Sequence, residues 1–214
     1  MTDTQQVEEK NTTSQKQKPL VNQDWKVIFL GAAGVGKTSI INQFMYNQFS
    51  RSYETTVGVD YFTKSINVED KSIVLQIWDT AGQEQYQSLV PSYIRSSAIA
   101  IVVYDVSNED SFVAAKNWYE KGIEIAGNNV HFILAGNKCD LTSVVSEAEI
   151  DSFTKDKNIQ HILISAKTGE RVQELFSIAA KEASTIVSEK KDAIVVEAQP
   201  VATATNSKSG SGCC

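Results

Sequence analysis

The stretch GAAGVGKT at residues 31–38 lies between a strand-like apolar segment, residues 25–30, and a helix-like segment, residues 37–48. It matches the pattern G-x-x-x-x-G-K-[ST], which forms a phosphate-binding loop when a strand precedes it and a helix follows it. Glycines let the backbone wrap closely around phosphate, and the helix N-terminus adds N–H groups and the positive end of its dipole. We expect Lys37 to bridge the β- and γ-phosphates of a nucleotide and the Thr38 hydroxyl to ligate Mg²⁺. The loop alone does not separate ATP from GTP.

Strand-like and helix-like segments alternate along the rest of the chain, up to about residue 189. The predicted strands cover residues 61–68, 72–78, 98–104, 131–135 and 162–164, and the predicted helices cover residues 111–126 and 172–187. The first two strands should form a hairpin around Glu69 and Asp70, and the capping box at residues 146–149 predicts the start of a further helix. Helices between buried strands predict an α/β fold, a mostly parallel central sheet with helices on both faces. Ligands should then bind beyond the carboxyl ends of the strands.

A second motif, DTAGQ at residues 79–83, follows a predicted strand. An aspartate at the end of a strand beside a phosphate loop can hold the water shell of magnesium, which is the role we expect for Asp79. Gly82 has no side chain, so its N–H can approach the γ-phosphate, and Gln83 can orient an attacking water as the catalytic residue. The alternative is a polar turn after an edge strand. The motif is weak alone, and the phosphate loop strengthens it.

The motif NKCD at residues 137–140 predicts the choice of base. The Asp140 carboxylate can accept hydrogen bonds from guanine N1–H and from the 2-amino group, and adenine offers neither donor. Such a site rejects an analogue that lacks the partner group by as much as about 10⁴. Asn137 can connect this loop to the phosphate loop, and the stem of Lys138 can lie on the base. A P-loop ATPase or a small kinase is therefore disfavoured.

The segment SAK at residues 165–167 follows another predicted strand. There the Ala166 backbone N–H can donate to guanine O6. Taken alone, this tripeptide is more simply a loop of common residues. Its position after a strand, in order behind the other motifs, favours a nucleotide site.

Together these segments resemble the Ras superfamily of small GTPases over essentially all of residues 25–187. Within it the chain looks like a Rab, because YETTVGVDY at residues 53–61 resembles the first Rab switch and WDTAGQE at residues 78–84 matches the second. The terminal pair Cys213-Cys214 is a Rab ending. The resemblance implies a P-loop GTPase fold that binds GTP or GDP with Mg²⁺, hydrolyses GTP slowly and recruits effectors to membranes in vesicle traffic.

The resemblance also implies roles for single residues. Thr56 would close on Mg²⁺ and the γ-phosphate, and Phe49 would stack on guanine. Tyr61, Trp78 and Tyr93 would form the aromatic surface that effectors read, although packing in the core is about as plausible for each. The expected nucleotide contacts are Gly34, Val35, Gly36, Lys37, Thr38, Ser39, Phe49, Tyr53, Thr56, Gly82, Asn137, Lys138, Asp140, Ser165, Ala166 and Lys167, and the expected magnesium ligands are Thr38, Thr56 and Asp79.

Residues that flank the second switch resemble one Rab subgroup. The run SLVPSYIRSS at residues 88–97 and the segment FMY at residues 44–46 look like the Golgi-associated Rabs. We therefore expect the protein on the cytoplasmic face of Golgi or related membranes, cycling with the cytosol. The resemblance implies an exchange factor, a GAP, a Rab escort protein and a GDP-dissociation inhibitor as partners, besides the effectors.

The formal net charge of -6 for 214 residues argues against a nucleic-acid partner. Residues 1–22 are expected to be a disordered leader, residues 23–190 the GTPase domain, and residues 191–214 a flexible tail. The tail lacks a C-a-a-X box. We expect geranylgeranyl groups on both Cys213 and Cys214, because one lipid chain gives only marginal membrane binding.

Two functions of different kinds remain open. The first is a switch that hydrolyses GTP, and the second is a nucleotide-binding membrane scaffold with little GTP turnover. Gln83 and the expected magnesium ligands Thr38, Thr56 and Asp79 favour the switch.

Overall fold

The computed structural model describes residues 23–50, 56, 58–68, 71–80 and 90–196, without the side chains of residues 23, 128 and 187–196. Within these residues the central sheet has six strands. The strands are β1 (Gln23–Leu30), β2 (Val59–Val68), β3 (Lys71–Thr80), β4 (Ile99–Asp105), β5 (His131–Asn137) and β6 (Gln160–Leu163). Their order is β2-β3-β1-β4-β5-β6, and only the β2–β3 pair is antiparallel. The predicted α/β class and mostly parallel sheet are confirmed, and so is the hairpin, although Glu69 and Asp70 lie outside the described residues.

Five α-helices accompany the sheet in the described residues: α1 (Lys37–Tyr46), α2 (Val90–Arg95), α3 (Glu109–Ala126), α4 (Glu147–Lys157) and α5 (Val172–Val196). Helix α1 ends two residues before the predicted boundary, because Asn47 adopts a left-handed conformation with its N–H bonded to Gln43 O. Helix α2 lies inside the run at residues 88–97, where the sequence predicted no element. Helix α5 continues to Val196, past the predicted end of helical spacing at residue 187.

The capping box at residues 146–149 predicted the start of α4 correctly. The side-chain hydrogen bond that such a box implies is not formed. Ser146 is the N-cap residue, yet its side chain makes no cap hydrogen bond. The backbone closes the turn instead, with Glu149 N–H donating to Ser146 O over 3.1 Å. Helix α3 does have a side-chain cap, because Asn108 Oδ1 accepts from Ser111 N–H over 3.2 Å.

Two apolar clusters lie on opposite faces of the sheet. On one face, α1 and α5 cover Phe29, and the rings of Phe44 and Phe176 stack with centroids 3.6 Å apart. On the other face, α2, α3 and α4 cover strand residues such as Ile28 and Tyr104. Every residue of β4 is buried, which explains why its sequence is a continuous apolar run rather than an alternating one. The prediction of helices on both faces is confirmed.

The parallel strands bring their carboxyl ends to one edge of the sheet. The phosphate loop follows β1, the NKCD motif overlaps the end of β5, and the SAK motif follows β6. Motifs far apart in sequence are therefore neighbours at that edge. Within the described ranges, no helix is both long enough and apolar enough to span a bilayer.

Candidate nucleotide and magnesium site

Two glycines of the phosphate loop stand where a side chain would collide with the fold. Gly31 has φ +140°, and a Cβ there would overlap the carbonyl oxygen of Val103. Gly36 has φ +96° as the N-cap of α1, and a Cβ there would overlap the amide nitrogen of Asn137. Positive φ and close approach together require glycine at both positions. The loop therefore presents bare backbone at the start of α1, as an anion site needs.

Lys37 is buried and its ammonium group lies over the phosphate loop. Its Nζ donates to the carbonyl oxygens of Gly31 and Ala32, each over 2.9 Å. Burial lowers the pKa of Lys37 to about 8, against the opposing influence of Asp79. An ammonium has three N–H donors, so a third remains for a phosphate oxygen.

The three expected magnesium ligands lie together. Thr38 Oγ1 donates to Asp79 Oδ2 over 2.6 Å and lies 2.7 Å from Thr56 Oγ1. Asp79 is fully buried, and its other oxygen, Oδ1, has no hydrogen-bond partner among the described residues. Burial raises the pKa of Asp79 to about 6, although the Thr38 bond and the charge of Lys37 oppose the shift.

An unpartnered carboxylate oxygen in a buried position is costly unless a cation or a donor satisfies it. Two hydroxyl oxygens and a carboxylate form a set of oxygen donors of the kind that Mg²⁺ binds. The residues at this position therefore fit the metal that a P-loop nucleotide site uses, with Thr38, Thr56 and Asp79 as the groups that would hold it.

Asn137 joins the base side of the site to the phosphate side. Its Nδ2 donates to Val35 O over 2.8 Å, as the sequence predicted, and its Oδ1 accepts from Ala166 N–H over 3.0 Å. The Ala166 N–H, which we assigned to guanine O6, thus has a different partner in this structure. One buried amide holds the loops after β1, β5 and β6 in a common arrangement.

The Asp140 carboxylate receives a donor on each oxygen. Ser165 Oγ donates to Oδ1 over 2.7 Å, and Lys167 Nζ lies 3.1 Å from Oδ2. The Ser165 hydrogen bond is the largest cause that holds the pKa of Asp140 below its ordinary value. The group is therefore an anion at neutral pH and suits the acceptor role that a guanine base requires.

Lys138 contacts a residue that the sequence analysis did not identify. Its Nζ lies 2.5 Å from Oδ2 of Asp105, the last residue of β4. Asp105 comes directly after the apolar run at residues 98–104, so it is a polar residue at the end of a buried strand, as Asp79 and Asn137 are. That pattern in the sequence could have identified it.

The aromatic residues form a row rather than a buried cluster. Tyr61 and Trp78 are cross-strand partners on β2 and β3 with ring centroids 5.1 Å apart, and the rings of Trp78 and Tyr93 are 5.3 Å apart. Tyr61 is 51% exposed, while Trp78 and Tyr93 are half-buried. Lys26 Nζ lies 4.1 Å from the centroid of the Trp78 ring. For Tyr61 at least, the core-packing alternative does not hold.

The remaining expected residues divide into two groups. Gly34 and Phe49 are exposed, with Phe49 beyond the end of α1 at 39% exposure, and Ser39 lies in the first turn of α1. Tyr53, Gly82, Gln83, Cys213 and Cys214 lie outside the described residues, so their predicted roles stay predictions.

The fold and the site define a P-loop protein that binds guanine nucleotide. The family model of the Ras family matches residues 26–185. The chain belongs to the Ras family, and it is accordingly a small GTPase that binds GTP or GDP with Mg²⁺. Exchange factors, GAPs and effectors are the partners that this family implies.

Proposed function

We propose that this GTPase is a Rab-type switch that recruits effectors to membranes in vesicle traffic. We further propose that it acts on the cytoplasmic face of Golgi or related membranes, cycles with the cytosol, and uses a Rab escort protein and a GDP-dissociation inhibitor. The observation that carries the proposal is the aromatic row of Tyr61, Trp78 and Tyr93, in which Tyr61 is exposed and the other two rings are half-buried.

The row is adjacent to the metal-binding residues through the chain itself. Trp78 immediately precedes Asp79 on β3, and Tyr61 follows Thr56 by five residues. Thr56 contacts Thr38 directly. A change at the γ-phosphate that moves Thr56 therefore reaches the segment that carries Tyr61. Tyrosine and tryptophan dominate protein-binding energy in many interfaces, so the row suits recognition that depends on nucleotide.

The residues of the site divide the work of turnover. Lys37 would donate to phosphate oxygens, Thr38, Thr56 and Asp79 would hold the metal ion, and Gln83 would orient the attacking water. When bound, Mg²⁺ neutralises negative charge on the β- and γ-phosphate oxygens. We expect slow intrinsic hydrolysis, because no arginine finger is evident in the sequence. A GAP that supplies one typically accelerates hydrolysis by a factor of about 10³–10⁵.

Effector capture tests this function. The protein is loaded with GDP or with a non-hydrolysable GTP analogue and used to retrieve partners from lysate. Proteins that act in vesicle traffic should bind the GTP form only, and Tyr61→Ala should abolish their capture. Val113→Ala on α3, which also truncates an exposed apolar side chain, is the matched control and should leave capture intact. Equal capture by the GDP and GTP forms would contradict the proposal.

A further inference from the structure

We propose that Asp105 is a positioning residue for the base-binding loop, and that through Lys138 it sets how long guanine nucleotide stays bound. The inference rests on the nucleotide binding that the family implies and not on the Rab assignment. It concerns a residue at the end of β4, outside the P-loop, the switch motifs, NKCD and SAK.

The Asp105 carboxylate is held from two sides. Its Oδ1 accepts from the backbone N–H of Ser107 over 2.9 Å and from the Ser107 hydroxyl over 2.7 Å. Its Oδ2 lies 2.5 Å from Lys138 Nζ, and the residue is 7% exposed. One oxygen is thus fixed by its own turn, and the other is aimed at the base-binding loop.

The turn that holds Asp105 is itself anchored to α3. Asp105 N–H donates to Ser111 Oγ over 2.9 Å, and Ser111 Oγ lies 2.6 Å from Asn108 O. Asn108 caps the helix. The carboxylate is therefore attached to a strand and a helix that belong to the core, which makes it a rigid support for a mobile side chain such as lysine.

The backbone of the same turn is hydrogen-bonded to the base-binding loop, residues 137–144, at both ends of that loop. Val106 N–H donates to Asn137 O over 3.0 Å, and Val106 O accepts from Val144 N–H over 2.9 Å. Between these two contacts Lys138 has φ +66°. That conformation is uncommon for a residue other than glycine and persists where the surroundings hold it. The ion pair to Asp105 is the side-chain part of that restraint.

The consequence concerns the stem of Lys138, which we expect to lie on the guanine plane. A lysine whose charged end is already held has less rotamer freedom to lose when the base binds. Without Asp105, the stem is released and the base loses a preorganised contact. Changes of this kind in a binding site act mainly on the dissociation rate. GDP and GTP should be affected alike, because the contact is to the base and not to the γ-phosphate.

The test is the release rate of ribose-labelled fluorescent GDP and of a GTP analogue from the full chain with Mg²⁺. Asp105→Asn keeps the shape of the side chain and its acceptor for Ser107 but removes the charge that Lys138 needs. We expect release of both nucleotides to be about three- to tenfold faster, the lower values reflecting the partial exposure of Lys138. Asp151→Asn, which breaks the exposed pair with Lys155 on α4, is the matched control and should leave release unchanged.

A double-mutant cycle separates positioning from a general loss of stability. Lys138→Met keeps the stem and removes the charge, so Asp105→Asn should add nothing further in that background. Additive effects would overturn the proposal, and so would an effect on only one of the two nucleotides. If Asp105→Asn does not fold, Lys138→Met serves as the test. In that variant GDP and the GTP analogue must both be released faster than from the unmutated protein, and by similar factors. Release from Lys138→Met at the unmutated rate would overturn the proposal as well.

Discussion

The side-chain amide of Asn137 donates to the carbonyl oxygen of Val35 over 2.8 Å and so connects two loops that are 102 residues apart. The contact is buried, and Gly36 beside it has no room for a Cβ because of this same amide. The phosphate and base halves of the site are therefore packed as one unit.

Base choice should follow the Asp140 carboxylate. Asp140→Asn should shift preference from guanine towards xanthine, because an amide can donate to the xanthine 2-oxygen. Competition of GTP, XTP and ATP for the purified protein measures the change. The unmutated protein should reject ATP, and ATP that competes as well as GTP would contradict the assignment of the base site.

The nucleotide state should depend on the hydroxyl of Thr38. This oxygen contacts both Asp79 and Thr56, so Thr38→Asn should weaken Mg²⁺ binding and disfavour the GTP form. Calorimetric titration with Mg²⁺ and nucleotide gives both affinities. A Thr38→Asn protein that binds effectors at normal strength would favour the scaffold function instead.

Magnesium affinity should fall in mildly acidic solution. Burial raises the pKa of Asp79 to about 6, above its ordinary value of 3.8, so ionisation of this carboxyl costs stability that grows between pH 4 and pH 6 and is complete above pH 6. The penalty disappears as the pH falls towards 4. Since the metal binds the anion, protons compete with it, and the apparent affinity should drop about tenfold for each pH unit below 6.

The measurement is the Mg²⁺ dependence of GDP release between pH 5 and pH 8. Removing Mg²⁺ with a chelator should accelerate release at every pH. Asp79→Asn cannot ionise, so it should bind Mg²⁺ weakly and lose the pH dependence of metal affinity. A midpoint that stays in place when Asp79 is replaced would assign the dependence to another group.

Turnover should depend on Gln83, which lies outside the described residues. Gln83→Leu should suppress intrinsic GTP hydrolysis, because leucine cannot orient the attacking water. Hydrolysis stimulated by a GAP should be suppressed less reliably, since Rab GAPs of the common type are expected to supply a glutamine as well as the arginine. Single-turnover assays with and without a GAP decide this. An unchanged intrinsic rate in the variant would remove Gln83 from the mechanism.

Membrane attachment should need both terminal cysteines. One lipid chain gives only marginal binding, and the tail supplies no cluster of basic residues as a second signal. Mass spectrometry of the native protein should find geranylgeranyl groups on Cys213 and Cys214. Replacing one cysteine with serine should weaken or misdirect attachment, and replacing both should leave the protein in the soluble fraction. A double variant that pellets with membranes as well as the unmutated protein would exclude this anchor.

The amino-acid sequence alone determined the class of fold and most of the residues now found at the site. These signals are local: the glycines at 31 and 36, the lysine and threonine after them, and the uninterrupted apolar run that becomes β4. Each depends on backbone conformation or burial within a few residues, so spacing is enough to recognise it. Helix α2 was missed because its six residues are too few to show a helical period.

Tertiary structure alone decided which groups face one another across different strands. Asp105 meets Lys138 because β4 and β5 pair in a register that places Asp105 opposite Asn137. Ala166 N–H donates to Asn137 Oδ1 only because β5 and β6 end at the same edge of the sheet. Likewise, Asp79 meets Thr38 there because β1 and β3 end side by side, and within the described part of the chain one Asp79 oxygen has no partner. The spacing of residues along the chain does not reveal this strand order, because the order results from burying both apolar faces of the sheet at once.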